Sequence, residues 1–240
     1  MDGDVLRQGA VLLAVTGGIL SGATGDYGDA AGSASPVVPA DYAFGIWVPI
    51  YAGVVAYAVD QARATRRTDA LLQRTGWPVA AAVGLSGVWV RGQDPPWLQL
   101  PVIAATTTAA VIALGRAQPR SAAEDSVRAR WVVQVPVGLL AGWLTLATTA
   151  ATTEVLIASG ARVRRRGVDA AGALVLAGTA AAALSGARLP RAGGCAAALA
   201  WGLVGVAVRG ARRWPLTGVV AGVGAGVAAS VGLRPGKAAR

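Results

Sequence analysis

Eight stretches of this chain contain no charged residue, and their lengths leave few folds open. They run 8–25, 42–59, 75–90, 95–115, 131–153, 170–187, 192–208 and 214–233, each 16 to 23 residues long. At about 1.5 Å of rise per residue, crossing about 30 Å of hydrocarbon takes roughly 20 apolar residues, with roughly 17–25 tolerated. The stretch at 75–90 is short, but Arg74 and Arg91 at its ends can reach outward along their aliphatic stems. The runs are apolar all round rather than alternating, which argues against the strands of a membrane barrel. Helices also satisfy their own backbone hydrogen bonds where lipid offers none. The expectation is an all-α, polytopic transmembrane bundle of about eight helices. Composition agrees, because only 14% of residues are charged, against about 25% in soluble domains.

The formal net charge is +10, yet the basic residues lie between the apolar runs rather than in one domain. They read as topology signals in a lipid bilayer, and nucleic acid is not an expected partner. A cytoplasmic N-terminus places fourteen Lys or Arg inside and eight outside; through the fifth run the split is nine to one. We therefore expect a multi-pass protein of the cell membrane with its N-terminus in the cytoplasm. Two clusters oppose this, "ARVRRR" (161–166) and "RGARR" (209–213), which fall outside. A seven-helix variant, with one late segment only partly inserted, would relocate one of them. The first run also has the length of a signal peptide, although the leading "MDGD" is acidic where a signal is basic.

Much chemistry is absent. The chain has no histidine and one cysteine, Cys195, inside an apolar run. That excludes a histidine triad, a histidine metal site and a disulfide framework. No phosphate-binding or dinucleotide glycine loop is present, and no Lys or Arg interrupts a span. An enzyme is not expected, nor are a metal, a cofactor or catalytic residues, and coupled transport loses its usual mid-membrane charges. Glu154 alone stands at the edge of a span, on one face with Trp143, Ala147 and Ala150. It either anchors a polar ligand group below Trp143 or sits solvated at the outer interface near Arg162. Its distance from Trp131, about 35 Å of helix, favours the interface.

The composition shifts near the basic cluster. The expected organisation is a five-helix membrane domain at 1–157, a basic loop at 158–167, a three-helix extension at 168–233 and a basic tail at 234–240. Glycines four apart form smooth seams: Gly18 and Gly22, Gly138 and Gly142, and Gly218, Gly222 and Gly226. Such seams let helix backbones approach closely in lipid. Packing inside the bundle is the first expectation for them, and a homodimer through glycine-rich faces the second.

The aromatic residues are concentrated. Phe44, Trp47 and Tyr51 recur along one face of the second run, and Pro49 is expected to bend that helix between Gly45 and Gly53. Trp89 ends the third run and Trp97 begins the fourth, while Trp143 lies about twelve residues into the fifth. Tyr42, Trp89 and Trp97 each fit an aromatic belt at the headgroups. Trp47, Tyr51 and Trp143 lie inside their spans, where a cavity for a flat, largely apolar ligand suits them better.

Three stretches, "FGIWVPIY" (44–51), "SGVWV" (86–90) and "PVGLLAGWLTLAT" (136–148), resemble the TspO/MBR family of tryptophan-rich sensory proteins. The resemblance covers roughly residues 5–157, and "AAALAWGLVGVAVR" (196–209) resembles the longer bacterial branch. It implies a TspO-like five-helix bundle plus three C-terminal helices, acting as a membrane receptor. The implied ligand is flat and hydrophobic, a sterol-like molecule or a tetrapyrrole such as a porphyrin. Phe44, Trp47, Tyr51, Trp89 and Trp143 are the implied ligand-binding residues, and the segment 22–41 is the implied lid, read as mobile from its Gly, Ser, Pro and Asp content. The chain departs from the family in lacking one residue, usually proline, between Gly45 and Trp47. It has Ser86 and Ala151 where members carry asparagines. Two readings from other classes stand beside this one: a passive permease or exporter of small hydrophobic molecules, and a structural or regulatory membrane subunit.

Overall fold

The computed structural model describes residues 3–25, 33–91, 96–121, 124–158, 165–186 and 189–232. Eight helices make up the fold, and no strand occurs among the described residues. They are α1 (Gly3–Thr24), α2 (Trp47–Ala62), α3 (Ala70–Arg91), α4 (Pro96–Arg116), α5 (Val135–Ala158), α6 (Arg165–Gly186), α7 (Gly193–Arg213) and α8 (Pro215–Gly232). Six of them are long and apolar enough to cross a membrane, some together with a preceding turn. The other two, α3 and α6, have matching length but carry arginines or an aspartate near their ends. The basic residues 161–164 and the tail 234–240 lie outside the described residues, as does the side chain of Trp97.

Contacts at the two ends of the bundle show that all eight helices alternate in direction. At the end holding the N-terminus, Arg74 pairs with Glu124 (2.8 Å), and Arg191 Nε donates to Asp125 (2.8 Å). At the opposite end, Arg91 donates to Ser21 Oγ (3.1 Å), and Asp169 at the start of α6 accepts from the Thr217 amide of α8 (2.9 Å). α6 therefore starts at the opposite end and α7 at the N-terminal end, although α6 is not among the six helices apolar enough to cross.

Glycine sets the closest approaches. A Cβ on Gly18 of α1 would stand 2.9 Å from the Val83 carbonyl of α3, and one on Gly87 would stand 3.2 Å from the Cα of Gly18. On α5, a Cβ on Gly138 would meet the Cys195 amide nitrogen of α7 at 2.8 Å. Gly18 and the Gly138–Gly142 seam pack inside the bundle, as small residues do in lipid. The third divides. Gly218 abuts Gly210 across the α7–α8 turn, whereas Gly222 and Gly226 meet nothing of this chain within 4 Å.

Caps and buried polar groups close the remaining backbone valences. Asp69 Oδ1 accepts from the amides of Leu71 and Leu72 (3.1 and 3.2 Å), capping α3. Pro215 opens α8, where a missing N–H costs nothing. Along α5, Thr145, Thr148, Thr149, Thr152 and Thr153 return their hydroxyls to the carbonyl four residues back, so no hydroxyl is left bare toward hydrocarbon. Arg7 of α1 is 1% exposed. It donates to Gln61 Oε1 (2.9 Å), the Arg67 carbonyl (2.9 Å) and the Leu72 carbonyl (3.3 Å). One side chain thus ties α1 to the connection between α2 and α3.

The second run differs from expectation. Residues Asp41–Ile46 form a 3-10 turn, and α2 begins only at Trp47. Pro49 accordingly sits in the first turn of α2 rather than mid-helix. Its absent N–H is one of the donors that a helix start leaves unpaired anyway, so it produces no break there. Proline acts on the fifth run instead. Ahead of Pro136 the chain widens into a π-helical turn, Ala129–Gln134, and the proline ring packs on Gly53 of α2, where a Cβ would come within 2.7 Å.

Candidate ligand site

Four of the five aromatic residues singled out from the sequence meet. Trp47 and Tyr51, one turn apart on α2, stack with ring centroids 5.2 Å apart and planes 22° from parallel. Trp143 of α5 presents an edge to Trp47 at 6.5 Å and 83°. Phe44, in the turn before α2, stands edge-on to Trp143 at 5.6 Å. Each such pair contributes about 0.5–1.5 kcal/mol beyond burial, so the two pairs made by Trp143 hold α2 and its preceding turn against α5. Trp143 is 2% exposed, so its ring packs inside the bundle rather than facing lipid headgroups.

A narrow cleft opens beside this cluster. Its walls are Gly18 of α1, Trp47, Ile50, Tyr51 and Val54 of α2, Val83 and Ser86 of α3, and Leu140 of α5. Ser86 contributes little polarity, because its hydroxyl already donates to the Ala82 carbonyl (2.7 Å). The enclosed space is about 10 Å³, enough for roughly one water. A drug-sized or larger molecule needs about 300 Å³ or more. A porphyrin or a sterol therefore does not fit the cleft as it stands, and the rings fill the space against one another. Among the first five helices, α2 is the least extensively packed, so the helix that carries two of the rings has the fewest contacts to break.

Trp89 is half-buried at the end of α3, one turn beyond Ser86, and is not in the cleft wall. Its indole N–H is buried and has no hydrogen-bond partner among the described residues. Glu154 is exposed and accepts from Ser33 Oγ at 2.9 Å, so it belongs to the end of the bundle rather than to Trp143.

Several residues of the site escaped sequence reasoning. Gly18, Val83 and Leu140 carry no chemistry to mark them. Outside the cleft wall, Gln134 in the π-helical turn before Pro136 is 1% exposed, and both atoms of its amide lack partners among the described residues. The C-terminal helices also enter the site. Gly202 of α7 leaves room for the Trp143 ring, whose nearest carbon would lie 3.2 Å from a Cβ there. Gly205 and Arg209 of α7 hold the described part of the expected lid, and Trp201 holds Ala43 just after it. That segment is not loose: Ser35, Pro36, Val37, Val38 and Pro39 are all buried. Its polar and proline content signals a chain that lacks helical partners, and α7 supplies partners instead.

Comparison with known proteins agrees with this architecture. A profile of the family described as TSPO-like protein matches residues 10–233, from α1 through α8. No curated protein and no solved structure matches the chain.

Proposed function

Since the chain belongs to the TSPO-like protein family, we propose that it is a ligand-binding protein of the cell membrane. Its ligand is a flat, largely apolar molecule of the porphyrin or sterol type, held by Phe44, Trp47, Tyr51 and Trp143, with Trp89 a turn beyond the cleft wall. The observation that carries the reading is the stack of Trp47 on Tyr51 in the wall of an almost wholly apolar cleft, with Trp143 edge-on behind Trp47. Ring faces recognise a flat apolar molecule without needing many polar groups. The closed cleft makes binding an opening event, in which α2 moves away from α1 and α3 and the ligand replaces ring–ring contacts. The excess of Lys and Arg at the α1-start end of the bundle supports a cytoplasmic N-terminus.

The test is titration of the purified protein with protoporphyrin IX while tryptophan emission is recorded. Saturable quenching is expected, weakened at least several-fold in Trp47→Ala and in Trp143→Ala. Equal quenching in both variants and the parent would remove the site assignment.

A further inference from the structure

Residues 33–46 contain no helix or strand before the 3-10 turn at Asp41, so most of their backbone carbonyls need partners from elsewhere. One face of α7 provides them, at positions four residues apart. Arg209 donates to the carbonyls of Ser33 (2.7 Å), Ser35 (2.8 Å) and Val38 (3.1 Å). One turn earlier, the Gly205 carbonyl accepts from the Ala40 amide (3.1 Å). A Cβ on Gly205 would stand 2.7 Å from Ala43, so only glycine admits the segment so closely. One turn earlier again, the Trp201 indole N–H donates to the Ala43 carbonyl (2.8 Å), and its ring meets Tyr42 edge-on at 5.7 Å. The next residue, Phe44, leads directly to Trp143.

We propose that α7 is the latch of the site: Trp201 and Arg209 are positioning residues that hold 33–46 closed against the aromatic cluster, and their release sets how fast a ligand enters. This rests on the ligand reading above. The physical reason is the cost of the alternative. Breaking the Arg209 contacts strands the carbonyls of Ser35 and Val38, both on buried residues, unless the segment lifts far enough to reach water. The segment is therefore held either fully down or clear of the bundle. The role falls to the C-terminal helices, outside the five that carry the rings.

The experiment uses the full chain in lipid nanodiscs, with Trp201→Phe and Arg209→Met, singly and together. Trp201→Phe keeps a ring and removes the donor; Arg209→Met keeps an aliphatic stem and removes the fork. Hydrogen exchange over 37–46 is expected to quicken by about fivefold to tenfold per lost anchor, with exchange over 76–90 unchanged. Stopped-flow quenching by protoporphyrin IX should show association and dissociation rates rising together. Exchange over 37–46 as slow as in the parent would overturn the latch. So would quickening spread equally over 76–90, or unchanged association in variants whose segment has loosened. Should the parent fail to bind protoporphyrin IX, the ligand reading falls alone, and exchange still decides the latch.

Discussion

Gly142 of α5 lies so close under Cys195 of α7 that a Cβ at 142 would stand 2.5 Å from the Cys195 carbonyl oxygen. With Gly138 and Gly194 it forms a seam in which two backbones touch, and this seam joins the five-helix part of the chain to the last three helices.

Gly142→Ala should consequently force α5 and α7 apart. Backbone on the far side cannot step aside as a flexible side chain can, and overpacking of this kind costs about 1–3 kcal/mol. Thermal unfolding in detergent is expected to show the loss for Gly142→Ala and none for Gly222→Ala, whose Cβ meets nothing within 4 Å. Equal stability of the two variants would contradict the seam. A change of oligomeric size in Gly222→Leu would assign the open α8 face to a second copy of the chain.

Gly202→Val should alter the aromatic site from outside the first five helices. Its Cβ would fall 2.2 Å from Leu146 Cδ2 and 3.2 Å from the Trp143 ring. Leu146 can yield, but the added branch then presses on the indole. A shifted tryptophan emission maximum and several-fold weaker porphyrin quenching are expected, with Gly193→Ala, in open space, behaving as the parent. An unchanged spectrum in Gly202→Val would remove α7 from the site.

Arg7→Met should loosen α1. The change leaves Gln61 Oε1 and the Arg67 and Leu72 carbonyls without their donor, at a cost of about 1–3 kcal/mol. Arg7→Lys should recover only part of this, because a single ammonium cannot replace a planar fork serving three acceptors. Unfolding in graded denaturing detergent reads the order; a methionine variant as stable as the parent would show that the network does not anchor the helix.

Acid should weaken the α3 to α4–α5 connection before the bundle itself. The Arg74 guanidinium, aided by the Arg120 amide, holds the Glu124 carboxyl down from 4.5 to about 2. A lowered carboxyl pKa stabilises the fold above the ordinary value, and that contribution disappears as pH falls from about 4.5 to about 2. Arg191 lowers the Asp125 carboxyl in the same way. Glu124→Gln should remove its share of the acid sensitivity, seen as a flatter dependence of unfolding temperature on pH through that interval. An identical slope in the variant would discount the pair.

The aromatic cluster was legible because Phe44, Trp47, Tyr51 and Trp143 are rare residues at helical spacing inside spans. Trp89 was named with them, and the fold places it a turn away from the cleft wall. What closes the site was not legible. Gly202 and Gly205 are two of 33 glycines, and nothing in their neighbours says which will face an indole or an alanine of a distant segment. Pro49 misled for a related reason: its effect depends on where α2 starts, and an apolar run does not mark its own first turn.

By itself the sequence determined that the chain is a bundle of membrane-length helices, because hydrocarbon admits few other ways to satisfy a backbone over 16 to 23 uncharged residues. It marked about eight spans too, since charges collect where spans end. Tertiary structure alone decided which faces meet. In lipid no stripe of polarity points a helix toward its neighbour, and partners are chosen by the fit of small residues, as Gly142 fits Cys195 and Gly205 fits Ala43. That choice set the last three helices against the first five and brought Arg209 over the segment leading to Phe44.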